Sequence, residues 1–379
     1  MNVKEKKVGL FELFYDLVYV YAISRITLIL EDPVDGGFTP TQMAIYLIST
    51  LTVLQAWIYM TNYINRYGGW RWFEYLMLSV NMFTVIYLAQ AISPEWGVNN
   101  GRVFIGSMFV LIATIMVPYA IQIRRREQQT DAARTAFIYL GVVQILFAAS
   151  LIATYTHLEK DAFLFMVSAV ALGAVLPYIT PKLYDESIVS FPHLAERFEL
   201  LTIITFGEAV VAMTGFFDIN EFSSVPWTVF ITFFLMFACY VVQIHNLCDH
   251  HRVDRGLRLI FTHYFIIVSV NLLTVSYILY DSTEIDHLFR CVLTLVALLM
   301  FFFGILSNSP YYFEKYTHST LDFVVSTVAI AFGGAVMFLM PDQSAGFLYG
   351  TFAAVAGNFI MLMVKVYRYV KAGTYETVP

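Results

Sequence analysis

Apolar runs of about 20 residues alternate with short polar connectors along almost the whole chain. A helix of that length, rising about 1.5 Å per residue, crosses a hydrocarbon layer about 30 Å thick. The pattern predicts twelve such helices, over residues 9–30, 42–63, 73–92, 102–123, 135–156, 162–180, 197–217, 226–247, 257–280, 287–307, 319–340 and 346–368. Connectors of about 5 to 20 residues leave no room for an appended soluble domain. Two junctions are less sharply marked: 158–162 is short, and 245–258 is polar enough to end the eighth helix early.

Composition agrees with the pattern. Of the 379 residues 59% are hydrophobic and only 13% charged, against about a quarter charged in soluble domains. The expected fold class is therefore an all-α polytopic membrane protein. The net charge of −6 says little by itself, because in such a chain the placement of charge decides orientation. The longest basic run, Arg124 to Arg126, is too short for a nucleic-acid stripe. Cys239, Cys248 and Cys291 form no spaced framework for a disulfide or zinc site. The first apolar run carries Glu12, Asp16 and Arg25 and lacks a small-residue cleavage site, so no cleavable leader is expected.

Of the 22 Lys and Arg residues, only Arg102, Lys160 and Arg290 fall on the outer side if the amino terminus is cytoplasmic, with Arg25 near the outer end of the first helix. The outer connectors 31–37, 216–222 and 280–286 are acidic instead. That asymmetry predicts both termini in the cytoplasm and a cytoplasmic-membrane location. Trp70, Trp72, Trp96 and Trp227, near predicted ends, suit an interfacial belt.

Two acids break the apolar pattern at depth. Asp16 lies roughly 13 Å beyond Lys7, near the bilayer midplane, and Glu12 shares its helix face four residues earlier. In the seventh helix Glu208 lies roughly 16 Å beyond Arg197. Two bare carboxylates about 6 Å apart in low dielectric do not both stay ionised unaided, so a proton, a cation or a basic side chain must serve them. Intramembrane acids mark ion or proton pathways by default. The competing reading is that Asp16 pairs with an Arg, Tyr or amide of a neighbouring helix and fixes packing, and that Glu12 is a helix-start acid. Gly207, just before Glu208, suggests a close helix approach.

Aligning Phe14-x-Asp16-x-Val18 with Phe206-x-Glu208-x-Val210 offsets the chain by about half its length. Two six-helix halves in the same orientation, 1–185 and 186–379, are expected. A competing register sets Glu12-Leu13-Phe14 on Glu196-Arg197-Phe198.

At these residues the chain resembles the low-temperature-requirement A (LtrA) membrane proteins. ELFYDLVYVYAIS (12–24) is similar to their opening signature, and HLAERFELLTIITFGEAV (193–210) to their His-x-x-Glu-Arg-Phe stretch followed by Gly-Glu. Carried over by position, the motif residues are Glu12, Asp16, His193, Glu196, Arg197, Gly207 and Glu208. The resemblance implies a membrane protein tied to growth in the cold, with no settled biochemical activity. More distantly, the Phe-x-Asp-x-Val arrangement of the first helix resembles the Phe-Ser-Asp signature of the endolysosomal potassium-channel family, built from two six-helix repeats. Tyr15 and Gly207 stand in place of its serine, and the arginine preceding that signature is missing.

The expected function is a proton- or cation-linked channel or transporter with Asp16, Glu208 and Glu12 on the pathway. His193, Glu196 and Arg197 form its cytoplasmic entrance, as a gate or pH sensor, or as a helix cap with ion pairs. Arg25 snorkels to headgroups, meets Glu31 and Asp32, or guards an outer mouth. His263, His318 and Asp322 are further buried polar candidates. The run 245–251, HNLCDHH, matches no established zinc spacing. Neither HExxH, a phosphate loop, GxSxG nor CxxCH occurs, and no cofactor is expected. The alternative is an intramembrane enzyme or accessory protein of lipid metabolism; a third class is a packing protein whose acids are structural. Expected partners are the lipid bilayer, a proton, small cation or small solute, and a second copy in a homo-oligomer, with no nucleic acid.

Overall fold

The computed structural model describes residues 6–93, 97–125, 130–156, 158–179, 188–218, 220, 223–313, 316 and 318–371. The expectation for Trp96 lies outside them. Twelve α-helices and no strand occur among the described residues: α1 Leu10–Thr27, α2 Pro40–Tyr67, α3 Trp72–Ala91, α4 Val98–Arg125, α5 Thr130–Tyr155, α6 Glu159–Ile179, α7 Phe191–Met213, α8 Val225–Tyr240, α9 Leu257–Ile278, α10 His287–Leu306, α11 Thr320–Leu339 and α12 Gln343–Lys371. Eleven of them are long and apolar enough to cross a membrane. Leu10, Phe11, Phe14, Leu17 and Tyr21 are exposed on α1, whereas Glu12, Tyr15, Asp16 and Tyr19 are buried. This inverted amphipathy is what a bilayer solvent selects, since lipid takes the apolar face and protein must satisfy the polar one.

Local signals set the helix starts. Gly9 caps α1, its N–H donating to Glu12 Oε2 at 2.7 Å. Glu74 accepts from the N–H of Arg71 at 2.7 Å at the start of α3, and Asp322 from that of Ser319 at 2.6 Å at the start of α11. Pro40 opens α2, where a missing N–H is harmless. Helix α7 begins at Phe191, six residues before the predicted 197, because Pro192 also suits a first turn. This puts His193 and Arg197 on one continuous helix. Past Tyr240 the backbone of α8 widens into a π-helical stretch, Val241–Asn246, a form that concentrates at functional sites.

The chain divides into two compact units. The first holds Met1–Asp32, Pro40–Leu201 and His250–Ile260; the second holds Pro33–Thr39, Thr202–Asp249 and Phe261–Pro379. In the first unit, α3 to α6 pack in chain order, α1 lies against α2 and α3, and α2 against α4 and α6. Asn81 of α3 ties this unit together: its Oδ1 accepts from the hydroxyls of Tyr15 and Tyr19 at 3.1 and 2.7 Å, and its Nδ2 donates to Thr114 Oγ1 at 2.8 Å. In the second unit α12 packs against α8, α10 and, most extensively, α11. There a Cβ on Gly333 would sit 2.4 Å from Gly350 O, and one on Gly350 would sit 2.6 Å from Gly333 O. Absent side chains let these two backbones touch.

Candidate functional site

In the first unit α1 presents Glu12 and Asp16, four residues apart, to the equally spaced His193 and Arg197 of α7. All four side chains are fully buried. Arg197 grips Asp16 with both arms of its fork, Nε to Oδ2 at 2.8 Å and Nη2 to Oδ1 at 2.5 Å. Its Nη1 donates to Glu12 Oε1 at 3.1 Å. Helix α2 closes the site: Trp57 Nε1 donates to Asp16 Oδ1 at 2.6 Å, and Thr61 Oγ1 accepts from Arg197 Nη2 at 3.3 Å. The guanidinium also lies over the Trp57 and Tyr15 rings, at 5.4 and 5.9 Å. For Asp16 the observed arrangement is the pairing with an arginine that the packing reading required.

The tautomer of His193 follows from a backbone donor. Ser190 N–H donates to Asn65 Oδ1 at 3.0 Å, which fixes which end of the Asn65 amide is oxygen. Asn65 Nδ2 then donates to Ser190 O at 2.8 Å and to His193 Nδ1 at 3.0 Å. With Nδ1 an acceptor, His193 is neutral and carries its proton on Nε2, which donates to Glu12 Oε1 at 2.8 Å. Every hydrogen bond to the two carboxylates comes from a donor, the pattern that ionised carboxylates accept. One guanidinium faces them, with Lys6 a further cation bearing on His193.

The remaining predicted residues lie elsewhere. Glu196 is exposed, about 100° around α7 from Arg197; the expected entrance trio is therefore split, with only His193 and Arg197 in the buried cluster. Glu208 is half-buried, without a hydrogen bond or ion pair among the described residues, and the quartet is complete without it. A Cβ on Gly207 would meet no described atom within 4 Å, so the close approach expected there is absent; the contact falls at Gly333 and Gly350 instead. Half-buried Arg25 bears on Glu31, whose carboxyl is held above its ordinary range by burial first and by Asp32 next, with Arg25 opposing. Within HNLCDHH, His250 lies 3.4 Å from Glu199.

In the second unit buried His263 meets the Tyr240 hydroxyl at 3.0 Å. Asp322 is half-buried rather than sunk in α11; it caps that helix and pairs with Lys365 at 2.7 Å. Lys365 Nζ also donates to His318 Nδ1 at 2.8 Å, and His318 Nε2 to Gln243 Oε1 in the π-helical stretch at 2.9 Å. Burial, then the charge of Lys365, push His318 down to about 4. Sequence reasoning missed Trp57, Thr61 and Asn65, although their four-residue spacing in an apolar helix is a readable polar stripe.

Fold and site together define a multi-pass α-helical membrane protein with a buried charge cluster. The model of the bacterial low temperature requirement A protein (LtrA) family matches residues 7–362, and the chain belongs to that family. No curated protein matches it.

Proposed function

We propose that the protein moves a proton or small cation across the bacterial inner membrane, and that Glu12 and His193 are the pair that loads it. The observation that carries this reading is a fully buried cluster in which two carboxylates share one guanidinium, with a histidine alongside. Two carboxylates sharing one guanidinium in low dielectric favour the gain of a positive charge, a demand that Lys6 near His193 tempers. A proton arriving at His193 Nδ1 would point at the Asn65 amide nitrogen, itself a donor. Loading there forces Asn65 to release both His193 and Ser190, loosening the clamp between α2 and the start of α7; loading on Glu12 leaves the clamp shut. Asp16 and Arg197 act as the fixed pair against which the change occurs, and Glu208 as a second carboxylate on the route. Two related six-helix halves, both termini cytoplasmic, complete the proposal, supported by the repeated Phe-x-acid-x-Val pattern and the basic-residue asymmetry.

Purified protein in proteoliposomes containing a pH-sensitive dye tests the reading, with proton, sodium and potassium gradients imposed in turn. Wild type should pass one of these ions, and Glu12→Gln, His193→Gln and Glu208→Gln should each cut the flux at least tenfold. Asp16→Asn should instead lose about 1–3 kcal/mol of stability, because Arg197 gives up its two-pronged, charge-assisted partner and keeps Glu12. Silence of the wild type to every gradient, or full flux in the folded Glu12 and His193 variants, would overturn the assignment.

A further inference from the structure

A groove in the first unit, away from the quartet, has the shape and charge of a lipid site. It runs between α3, α4 and α5, encloses about 480 Å³ and lies open on one side. Phe83 and Tyr87 of α3 and Val103 and Val110 of α4 are exposed along it, and Leu151 closes it from α5. Gly106 leaves its floor clear: a Cβ there would meet Leu151 Cδ1 alone, at 3.9 Å. That volume lies within the range of small-molecule sites.

Arg102 stands at one end of the groove, in the first turns of α4 and at the opposite end of that helix from Arg124 and Arg125. Its guanidinium rests over the Tyr155 ring at 4.7 Å, and Nη2 donates to Thr154 O at 2.6 Å. Nε has no acceptor among the described residues. The groove thus joins one held cation with spare donors to an apolar trough that opens where acyl chains lie. Among the described residues no acidic side chain lines it, so Arg102 meets no opposing carboxylate there and favours a headgroup of net negative charge. We infer that the groove binds one anionic phospholipid, its phosphate on Arg102 and an acyl chain against Gly106, the headgroup charge complementing the guanidinium and the tail the apolar trough.

Native mass spectrometry of the full chain, titrated separately with phosphatidylglycerol and phosphatidylcholine, decides the matter. Wild type should keep one phosphatidylglycerol through activation that strips phosphatidylcholine. Arg102→Gln should weaken that retention at least tenfold, and Gly106→Leu, which fills the floor but keeps the cation, should weaken it too. Equal retention of the two lipids by wild type needs no variant to interpret and would overturn the assignment. So would unchanged retention in Arg102→Gln, displacement by inorganic phosphate alone, or a groove covered by a second copy and seen as lipid-free dimer.

Discussion

His193 shows how a side chain's protonation is settled by a neighbour's backbone. Ser190 N–H orients Asn65, Asn65 assigns the tautomer, and the tautomer determines what Glu12 receives. His318 uses the same tautomer in a different setting, accepting from Lys365 and donating to Gln243. Its pKa falls from 6.5 to about 4 on folding, so between those values the unfolded chain binds more protons than the folded one. Stability therefore rises with pH across that window and is lost as pH drops from about 6.5 towards 4, by up to about 3 kcal/mol. Thermal unfolding of wild type and His318→Gln at pH 4.5 and 7.5 checks this. The pH dependence should shrink in the variant, and an identical dependence in both would remove His318 as its source.

At the scale of elements, the helices were legible because a bilayer-length apolar run admits one backbone solution. The start of α7 was less so, since FPHLAERF reads as connector by polarity, although Pro192 suits a first turn and His193 and Arg197 meet buried acids. The choice of Arg197 as Asp16's partner was hidden as well: it depends on α1 and α7 coming together, which no local pattern encodes. Glycines repeat the lesson. Gly207 looked like a packing glycine and opens onto empty space, whereas Gly333 and Gly350 meet backbone to backbone. Gly333→Ala should cost about 1–3 kcal/mol through overpacking. Gly207→Ala should be neutral or slightly stabilising, from helix propensity alone. Unfolding in detergent monitored by tryptophan fluorescence separates the two, and equal effects would contradict the packing given for α11 and α12.

For the whole molecule, the placement of basic residues makes a definite claim about sidedness. Asp218, after α7, should face outward, and Asp131, at the start of α5, inward. Single cysteines at these exposed positions, in a background lacking Cys239, Cys248 and Cys291, test it. An impermeant maleimide should label Asp218→Cys in intact cells and Asp131→Cys only after permeabilisation; the reverse would invert the orientation. The quartet adds a constraint on biosynthesis, because Glu12 and His193, like Asp16 and Arg197, are 181 residues apart. At ribosomal speeds of about 5–20 residues per second, the acids of α1 leave the exit tunnel roughly 10 to 40 s before their partners. Until then they must wait protonated, in water, or sheltered by the insertion machinery, so nascent chains halted before α7 should be handed to quality control.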